Sequence, residues 1–187
     1  MIYFTSDLHI GHDRPWIVQA RGFSTIEEHD SFIKAQIAGL DAERLIVVGD
    51  FFMGMNKSER MADFLSTLHF PVTLVLGNHD PKPEKCIGFD QVVYSLDMDG
   101  FHIAHVPAEL TDRYDREKSG ELAKFQAKDT GKTIIHGHTH SGKLTSKTSA
   151  GTLQIHVGWD VFKFVFPFDA LRAIDQTRDL FKSEWTS

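Results

Sequence analysis

The residue types best suited to chemistry in this sequence are aspartate, asparagine and histidine, and they cluster in five short groups. The groups are Asp7-Leu8-His9, Gly49-Asp50, Gly77-Asn78-His79-Asp80, His105 and His136-Gly137-His138-Thr139-His140. The chain has 11 histidines but a single cysteine. Oxygen and imidazole nitrogen both bind divalent transition metals, and the scarcity of thiols favours them over sulfur as ligands. The groups therefore predict a metal site built from oxygen and nitrogen.

Each group directly follows a short apolar run of the kind that forms a β-strand. These runs are Ile2–Thr5, Leu45–Val48, Val72–Leu76, Phe101–Ala104 and Thr133–Ile135. In α/β sheets, ligands collect outside the carboxyl ends of the strands. We therefore expect all five groups to meet at one edge of the fold.

Further elements complete the predicted fold. Val92–Leu96 and Leu153–Val157 predict two more strands, and the Asp-Gly pair in the segment 97–100 predicts a hairpin turn. Strand–helix–strand order followed by hairpins predicts an α/β domain with a mixed sheet, or two stacked sheets flanked by helices. Residues 107–132 are charged and lack strand signals, which predicts a loop with a short helix near Glu121–Ala127.

Three helices are predicted from residues that commonly cap a helix N-terminus. Thr25 and Glu28 have the spacing of a capping box, and an apolar stripe follows them. Ser58 and Asp169 are predicted to cap two later helices in the same way. These helices would pack against the sheets and leave the strand ends open to solvent.

The five groups differ in how rarely their sequences are expected by chance. An Asp-x-His sequence is expected about once by chance in a chain of this composition, so Asp7-Leu8-His9 alone carries little weight. The tetrapeptide beginning at Gly77 is expected on the order of one time in a thousand. The order of all five groups, each at a strand end, is more specific still.

This ordered set resembles the calcineurin-like metallophosphoesterase superfamily, from Asp7 to His140. It is most similar to small bacterial and phage phosphoesterases, whose first motif, Ser-Asp-x-His-x-Gly-His, occurs here as Ser6 to His12. The resemblance implies a single domain over residues 1–187. The implied fold is a four-layer α/β/β/α sandwich of two mixed sheets flanked by helices, with a dinuclear metal centre at the sheet edge.

The resemblance also implies a ligand role for seven residues, with Asp50 bridging two divalent ions. The ligands of the first ion would be Asp7, His9 and His140, and those of the second Asn78, His105 and His138. The family favours Mn²⁺, and Fe²⁺, Zn²⁺ and Ni²⁺ also suit this ligand set.

The implied reaction is hydrolysis of a phosphoester by a hydroxide that bridges the two ions, with Asp50 and His79 as the catalytic residues. His79 would act as the general acid, since an imidazole ordinarily titrates near neutral pH and can protonate the leaving group. What holds His79 in position is left open between Asp80 and Asp160.

One departure from the family narrows the substrate. Many phosphoprotein phosphatases of this superfamily carry Gly-Asp-x-x-Asp-Arg-Gly, whereas Gly49-Asp50 is followed here by Phe51-Phe52-Met53-Gly54. The second carboxylate and the arginine are both missing. A small phosphoester or a nucleotide-like diester is therefore expected as the substrate, rather than a phosphoprotein.

Three weaker candidates lie near the groups. His12 ends the first motif and Arg21 follows it, and both are expected to contact the substrate phosphate, as is Asn78. A turn residue would explain His12 equally well, and a surface ion pair would explain Arg21 equally well. His136 shares an extended strand with His138 and His140 and would face the same side. A buried supporting role is nevertheless expected for His136.

Composition excludes several other classes. The chain carries 26 acidic and 20 basic residues, a formal net charge of −6, which argues against a broad basic surface for nucleic acid. A single cysteine excludes an internal disulfide framework and cysteine-rich metal clusters. The N-terminus lacks the pattern of a signal peptide, and no apolar run is long enough to span a membrane. A cytoplasmic location without membrane partners is expected.

Two alternative functions remain open at this stage. Basic residues after His105 are compatible with a nuclease or an RNA-processing enzyme that uses the same centre. A non-catalytic metal-binding scaffold is the other alternative, although such proteins usually lose a ligand or the acid histidine. The sequence gives no indication of the oligomeric state.

Overall fold

A computed structural model describes residues 1–55, 57–110 and 118–177, which contain ten strands in two five-stranded sheets. The strands of the first sheet are β1 (Ile2–Thr5), β2 (Arg44–Val48), β3 (Val72–Val75), β4 (Gln91–Val93) and β10 (Phe166–Pro167). Their order is β10-β1-β2-β3-β4. The strands β1 to β4 run parallel, and β10 pairs antiparallel with β1. The carboxyl ends of β1, β2 and β3 consequently lie at the same edge.

The second sheet has a parallel centre and antiparallel margins. Its strands are β5 (Ser95–Met98), β6 (Phe101–Ala104), β7 (Thr133–His136), β8 (Thr145–Lys147) and β9 (Leu153–His156). Their order is β5-β6-β7-β9-β8, with β6, β7 and β9 parallel. The marginal strands β5 and β8 pair antiparallel with β6 and β9. The groups that follow β6 and β7 therefore emerge side by side.

The helices are short apart from three. They are α1 (Pro15–Ala20), α2 (Ile26–Ala38), α3 (Lys57–Leu65), α4 (Ser119–Leu122), α5 (Trp159–Phe162) and α6 (Phe168–Thr177), with 3₁₀ turns at Pro83–Lys85 and Ala123–Phe125. None of these helices is both long enough and apolar enough to cross a membrane. The short helix predicted near Glu121–Ala127 is confirmed by α4 and the turn that follows it.

One of the three predicted caps is confirmed. The Thr25 hydroxyl accepts a hydrogen bond from the Glu28 backbone N–H at 3.2 Å, and the Glu28 carboxylate accepts one from Ser24 N–H at 2.9 Å. The caps predicted at Ser58 and Asp169 are wrong. Because α3 and α6 begin one residue earlier, at Lys57 and Phe168, both side chains lie inside the first turn.

Alternating apolar residues of the first sheet serve two separate cores, as the two-residue period of a strand requires. Ile46 and Val48 face the second sheet, where they pack with residues such as Ile135. On the opposite side, Val47 packs among the side chains of α2 and α3, including Ile37. Complete burial of one such side chain contributes about 1.5–3 kcal/mol. This packing holds the first sheet between a layer of helices and the second sheet.

The expected pair of mixed sheets flanked by helices is confirmed. On the outer side of the second sheet, Ala104 and Ile134 pack against Ala127 and Ala108. The Ala108 backbone N–H donates to Gln154 Oε1 at 2.9 Å, which ties this covering chain to β9. Part of the predicted loop 107–132, residues 111–117, lies outside the described residues.

The prediction of a single strand over Val92–Leu96 is wrong. Tyr94 separates β4 from β5, so that the chain passes from the first sheet to the second at this residue. The predicted hairpin turn is confirmed at Asp99 and Gly100, where φ is +49° and +87° as a two-residue turn of this type demands.

Candidate metal centre

The five groups identified in the sequence meet at one edge of the two sheets. The ring of His9 lies 5.4 Å from that of His140 and 5.8 Å from that of His79. The rings of His105 and His138 are 5.3 Å apart. These contacts join chain segments that follow β1, β3, β6 and β7. The prediction that the strand ends converge is therefore confirmed.

Two clusters of side chains at this edge could each hold a cation. One contains Asp7, His9 and His140, and the other contains Asp7, Asp50 and His105. Within each cluster the candidate ligand atoms all lie within 4.8 Å of one another. Asp7 belongs to both clusters. Asp50 also reaches both, because its Oδ2 lies 3.4 Å from His105 Nε2 and 3.8 Å from His9 Nε2.

The remaining two predicted ligands, Asn78 and His138, line the cleft beside these clusters. Buried atoms at the centre also lack ordinary partners. Among the described residues, His9 Nε2, Asn78 Oδ1 and His105 Nε2 are shielded from solvent and make no hydrogen bond of good geometry. Leaving a buried polar atom unsatisfied costs about 1–3 kcal/mol. Because these are nitrogen and oxygen atoms facing two carboxylates, the residues present fit a divalent cation.

Two imidazoles are held with one nitrogen turned away from the centre. His105 Nδ1 donates to the Val48 carbonyl at 2.7 Å, and His140 Nδ1 donates to the Asp160 carboxylate. Such bonds fix the ring and leave Nε2 as the ligand atom. Asp160 therefore supports His140. Sequence reasoning missed this pairing, because no local pattern connects two residues 20 positions apart.

The two carboxylates are also fixed by hydrogen bonds. Asp7 Oδ2 accepts from the Ser6 hydroxyl at 2.6 Å and from the His138 backbone N–H at 3.0 Å. Asp50 Oδ1 accepts from the His79 backbone N–H at 2.9 Å. The bonds from the backbone of His138 and of His79 each connect one motif to another. The separate groups in the sequence are therefore joined into one unit at the centre.

Asp80 ties together the loops that follow β2 and β3. Its carboxylate accepts from the backbone N–H of Gly77 at 2.8 Å and from those of Asp50 and Phe51 at 2.9 Å each. Burial and then the charge of Asp50 raise the pKa of Asp80 to about 6. Both of its oxygens are occupied by these amides, so Asp80 positions the loop that carries Asp50.

Glycines at two positions are required by close approach of the site carboxylates. A Cβ atom at Gly77 would lie 2.2 Å from Asp50 Oδ1, and one at Gly137 would lie 2.5 Å from Asp7 Oδ2. Contacts of this length are not tolerated, so any side chain would displace a carboxylate. These two glycines therefore make room for the carboxylates of Asp50 and Asp7.

Left-handed backbone is concentrated at the candidate ligands. Among the described residues other than glycine, φ is positive at seven positions, and five of them belong to the centre: Asp7, His9, Asp50, His138 and His140. This conformation is sparsely populated for residues with a side chain and costs roughly 1–3 kcal/mol at each position. Strain at so many neighbouring positions persists only where the surrounding structure imposes it, which is typical of a functional site.

Electrostatic effects between the groups are strong. Burial alone would raise the pKa of Asp7, but the nearby imidazoles of His9, His105 and His140 hold it well below the usual range. Burial alone would lower the pKa of His105, yet Asp50 and Asp7 raise it to about 10. In the same way Asp160 and Asp7 raise the pKa of His140 to about 9. In the metal-free protein these two imidazoles hold the protons that a cation would replace.

This arrangement predicts a pH dependence of stability in the metal-free protein. The folded pKa values of His105 and His140 lie above the value of about 6.5 in the unfolded chain, so their contribution is complete below pH 6.5. We expect the melting temperature in EDTA to fall between pH 6.5 and 9, because the unfolded chain gives up these protons in that interval while the folded protein still holds them. Thermal unfolding followed by circular dichroism checks this.

A control for the same measurement is the protein loaded with Mn²⁺, in which a cation takes the place of the protons and the fall should be smaller. His140→Asn should also reduce the fall. A melting temperature of the metal-free protein that is constant or rises over this interval would contradict the prediction.

Both weaker candidates from the first motif lie beside the centre. The ring of His12 is 6.0 Å from that of His9, and burial, followed by the charges of His9 and Arg21, lowers the pKa of His12 to about 4. Burial lowers the pKa of Arg21 as well, against the effect of Asp160 and Asp7. Among the described residues, one buried nitrogen of each side chain makes no hydrogen bond. Both are therefore placed where an anion could contact them.

His136 lies behind the centre, as expected. It is 3% exposed, its Nδ1 donates to the Gly137 carbonyl at 2.8 Å, and its ring stacks on His156 at 5.4 Å. Burial, with the nearby His156, lowers its pKa to about 3, so the ring is neutral. Its role is to fill the space beneath the motif that carries His138.

A cleft of about 670 Å³ opens beside the clusters. One side is formed by residues of the centre, including Asp50, Asn78, His79, His138 and His140. The cleft is also lined by Tyr94, Lys118, Glu121, Leu122, Lys124 and Phe125, which we call the far wall. The segment 81–83 lines the same cleft. The volume is within the range of about 300–1,000 Å³ that small-molecule sites occupy.

Comparison with known proteins agrees with the geometry. A family model described as the calcineurin-like phosphoesterase superfamily domain matches residues 1–159. The gene 66 protein of Mycobacterium phage L5 is 32% identical in a gapped alignment of length 183 that covers 86% of each chain. The gene 66 protein of Mycobacterium phage D29 is 27% identical in a gapped alignment of length 194 that covers 91% of this chain and 94% of that protein.

A solved structure with the same fold is the protein of unknown function AQ665 from Aquifex aeolicus. It aligns with a TM-score of 0.67 at 21% identity, over 93% of this chain and 98% of that one. At this identity the likeness concerns the fold alone. The family match over residues 1–159 and the phage relatives confirm the resemblance seen in the sequence motifs. This chain belongs to the calcineurin-like phosphoesterase superfamily.

Proposed function

We propose that this protein is a metal-dependent phosphodiesterase that acts on small phosphoesters or nucleotide-like substrates. The observation that carries the proposal is the convergence of seven side chains that can offer nitrogen or oxygen to a metal, three of which present buried atoms without hydrogen bonds. Asp7, His9 and His140 would hold one divalent ion, and Asn78, His105 and His138 the other, with Asp50 shared. Manganese is the preferred metal by analogy with the family.

The bound ions would supply positive charge that attracts the phosphate and lowers the pKa of a nearby water. The residues of the chain position the ligand atoms and contact the substrate. Asp160 and the Val48 carbonyl hold the rings of His140 and His105, so that the ligand atoms are positioned before substrate arrives. Arg21 and His12 stand on the side of the first motif, where the guanidinium can contact a phosphate oxygen.

His79 is proposed as the general acid. It lines the cleft within 5.8 Å, ring to ring, of His9, and its backbone N–H is bonded to Asp50. An imidazolium in this place can donate a proton to the oxygen of the leaving group. A diester is preferred over a phosphoprotein because Met53 and Gly54 stand where the protein phosphatases have the Asp-Arg pair.

The test is hydrolysis of bis-p-nitrophenyl phosphate and p-nitrophenyl phosphate by metal-free protein resupplied with Mn²⁺, Fe²⁺, Zn²⁺ or Ni²⁺. We expect hydrolysis that depends on the added metal and is faster for the diester. Metal analysis of the same samples gives the number of ions. No hydrolysis with any of these metals overturns the proposal, and full metal occupancy without turnover across other phosphoesters would instead indicate a non-catalytic scaffold.

A further inference from the structure

The far wall of the cleft combines an exposed aromatic ring with basic side chains, a combination that the proposed chemistry at the metal centre does not use. Tyr94 is 41% exposed and lies 5.9 Å from Phe125, ring to ring. The ammonium group of Lys124 lies 4.8 Å from the centroid of the Phe125 ring and 6.0 Å from that of Tyr94. Phe125 is buried beneath them. The wall therefore presents a supported ring and a fixed positive charge to the same cleft as the centre.

The position of Tyr94 is set by both sheets. It is the one residue between β4 and β5, which belong to different sheets, so its backbone is held on both sides by strand pairing. A ring on such a rigid support loses little conformational freedom when a ligand stacks on it. The exposed part of the Tyr94 ring is therefore preorganised for stacking on a flat group.

A second basic residue that lines the cleft is Lys82. Lys82 stands between Pro81 and Pro83, at the start of a 3₁₀ turn, and all three residues line the cleft. The two proline rings restrict the backbone on either side of Lys82. The third lysine of the cleft, Lys118, is paired with Glu121 at 3.7 Å. The charge of the cleft away from the metal ligands is thus mainly positive.

An aromatic face with lysines at its margin matches a nucleotide unit, whose base can stack while its phosphates meet the ammonium groups. An apolar substrate would make no use of the lysines, and inorganic phosphate would make no use of the aromatic ring. Building on the proposed phosphodiesterase activity, we propose that the far wall binds the nucleoside next to the scissile phosphate. The preferred substrates are then nucleoside phosphodiesters, with Tyr94 stacking on the base and Lys82 and Lys124 contacting a neighbouring phosphate.

The first test compares trithymidylate with a trinucleotide of the same backbone that lacks all bases. We expect the native protein to show a kcat/KM roughly 5- to 20-fold higher for the substrate with bases. This factor lies in the lower part of the range that the stacking free energy of one base corresponds to. Tyr94→Ala should abolish this preference through KM, and Tyr94→Phe should retain it. Phe164→Ala, which removes another exposed ring outside the cleft, is the matched control and should leave the preference unchanged.

The outcomes separate this inference from the proposed function. If the protein hydrolyses bis-p-nitrophenyl phosphate, the phosphodiesterase proposal stands. The inference is then overturned if the two trinucleotides react at equal rates, or if Tyr94→Ala retains the preference for the substrate with bases. Failure on every phosphoester with every metal overturns both. A preference for phosphopeptides over both trinucleotides also overturns the inference.

A second test addresses the lysines without relying on turnover. Binding of a fluorescein-labelled oligothymidylate is followed by anisotropy at several salt concentrations, with EDTA present to prevent hydrolysis. Each phosphate contact contributes about −0.7 to the slope of log K against log salt for a single strand, so Lys82→Gln and Lys124→Gln should each make the slope shallower by about 0.7. Lys147→Gln, on the margin strand β8, is the control of equal charge. Slopes that match the native protein for both cleft variants overturn the lysine contacts.

Discussion

Asp50→Asn should reduce the metal content to less than one ion per chain and lower kcat/KM for a phosphodiester by at least about 1,000-fold. Asparagine keeps the size of the side chain and retains an oxygen for the bond from the His79 backbone N–H. It removes the negative charge that lies between His105 Nε2 and His9 Nε2. Because this charge would be shared by the two ions, its loss weakens both sites at once. Metal analysis after gel filtration and steady-state kinetics measure the two effects.

The same substitution at Asp99 is a close control. Both aspartates have left-handed backbone, with φ of +53° at Asp50 and +49° at Asp99, a conformation that asparagine also accepts. Asp99 lies in the hairpin turn and pairs with Arg172 on the surface. Asp99→Asn should therefore leave the metal content and kcat/KM unchanged. An Asp50→Asn protein that folds, holds two ions and turns over normally would refute the bridging role.

The sequence was sufficient to predict the centre because each of its parts is local. A strand that ends in Asp-x-His or in Gly-Asn-His-Asp carries its own signal, and parallel pairing then brings the ends together at one edge. The glycines are local signals as well, since Gly77 and Gly137 stand directly beside the motifs that they make room for. Convergence of the motifs therefore followed from strand order and residue type.

The contacts that support the centre could not be predicted from local sequence patterns, because they join distant parts of the chain. Asp160 lies 20 residues from His140, in a segment whose pattern gives no sign of metal chemistry. Likewise Asp30 accepts two hydrogen bonds from the backbone N–H of Gly11, at 3.0 and 3.2 Å, and thereby fixes the first motif from within α2. Neither aspartate differs in sequence from an ordinary surface carboxylate.

The errors in the fold have a similar cause. The segment Val92–Leu96 is mostly apolar, and such a run indicates a strand but not which sheet the strand joins. The chain changes sheets at Tyr94 without any break in the pattern. The caps predicted at Ser58 and Asp169 were misplaced by two residues, because the residue type at a helix start gives its position only approximately.

His79→Ala should lower kcat by about 100- to 10,000-fold on a diester with an alkyl leaving group while leaving the metal content intact. The substitution removes the imidazole but keeps the backbone N–H that bonds to Asp50, so the carboxylate should stay in place. On bis-p-nitrophenyl phosphate the decrease should be less than about 10-fold, because p-nitrophenolate leaves without needing a proton. Steady-state kinetics on the two substrates, with metal analysis of each preparation, measure this difference.

The difference between the leaving groups is what identifies a general acid. A residue that only binds the phosphate would affect both substrates equally, and a metal ligand would lose ions when removed. His69→Ala, which removes an exposed imidazole outside the cleft, is the control and should change neither rate. Loss of metal from His79→Ala would assign the residue to the ligands. An equal decrease on both substrates would assign it to binding, and the proton would then have to come from elsewhere in the cleft.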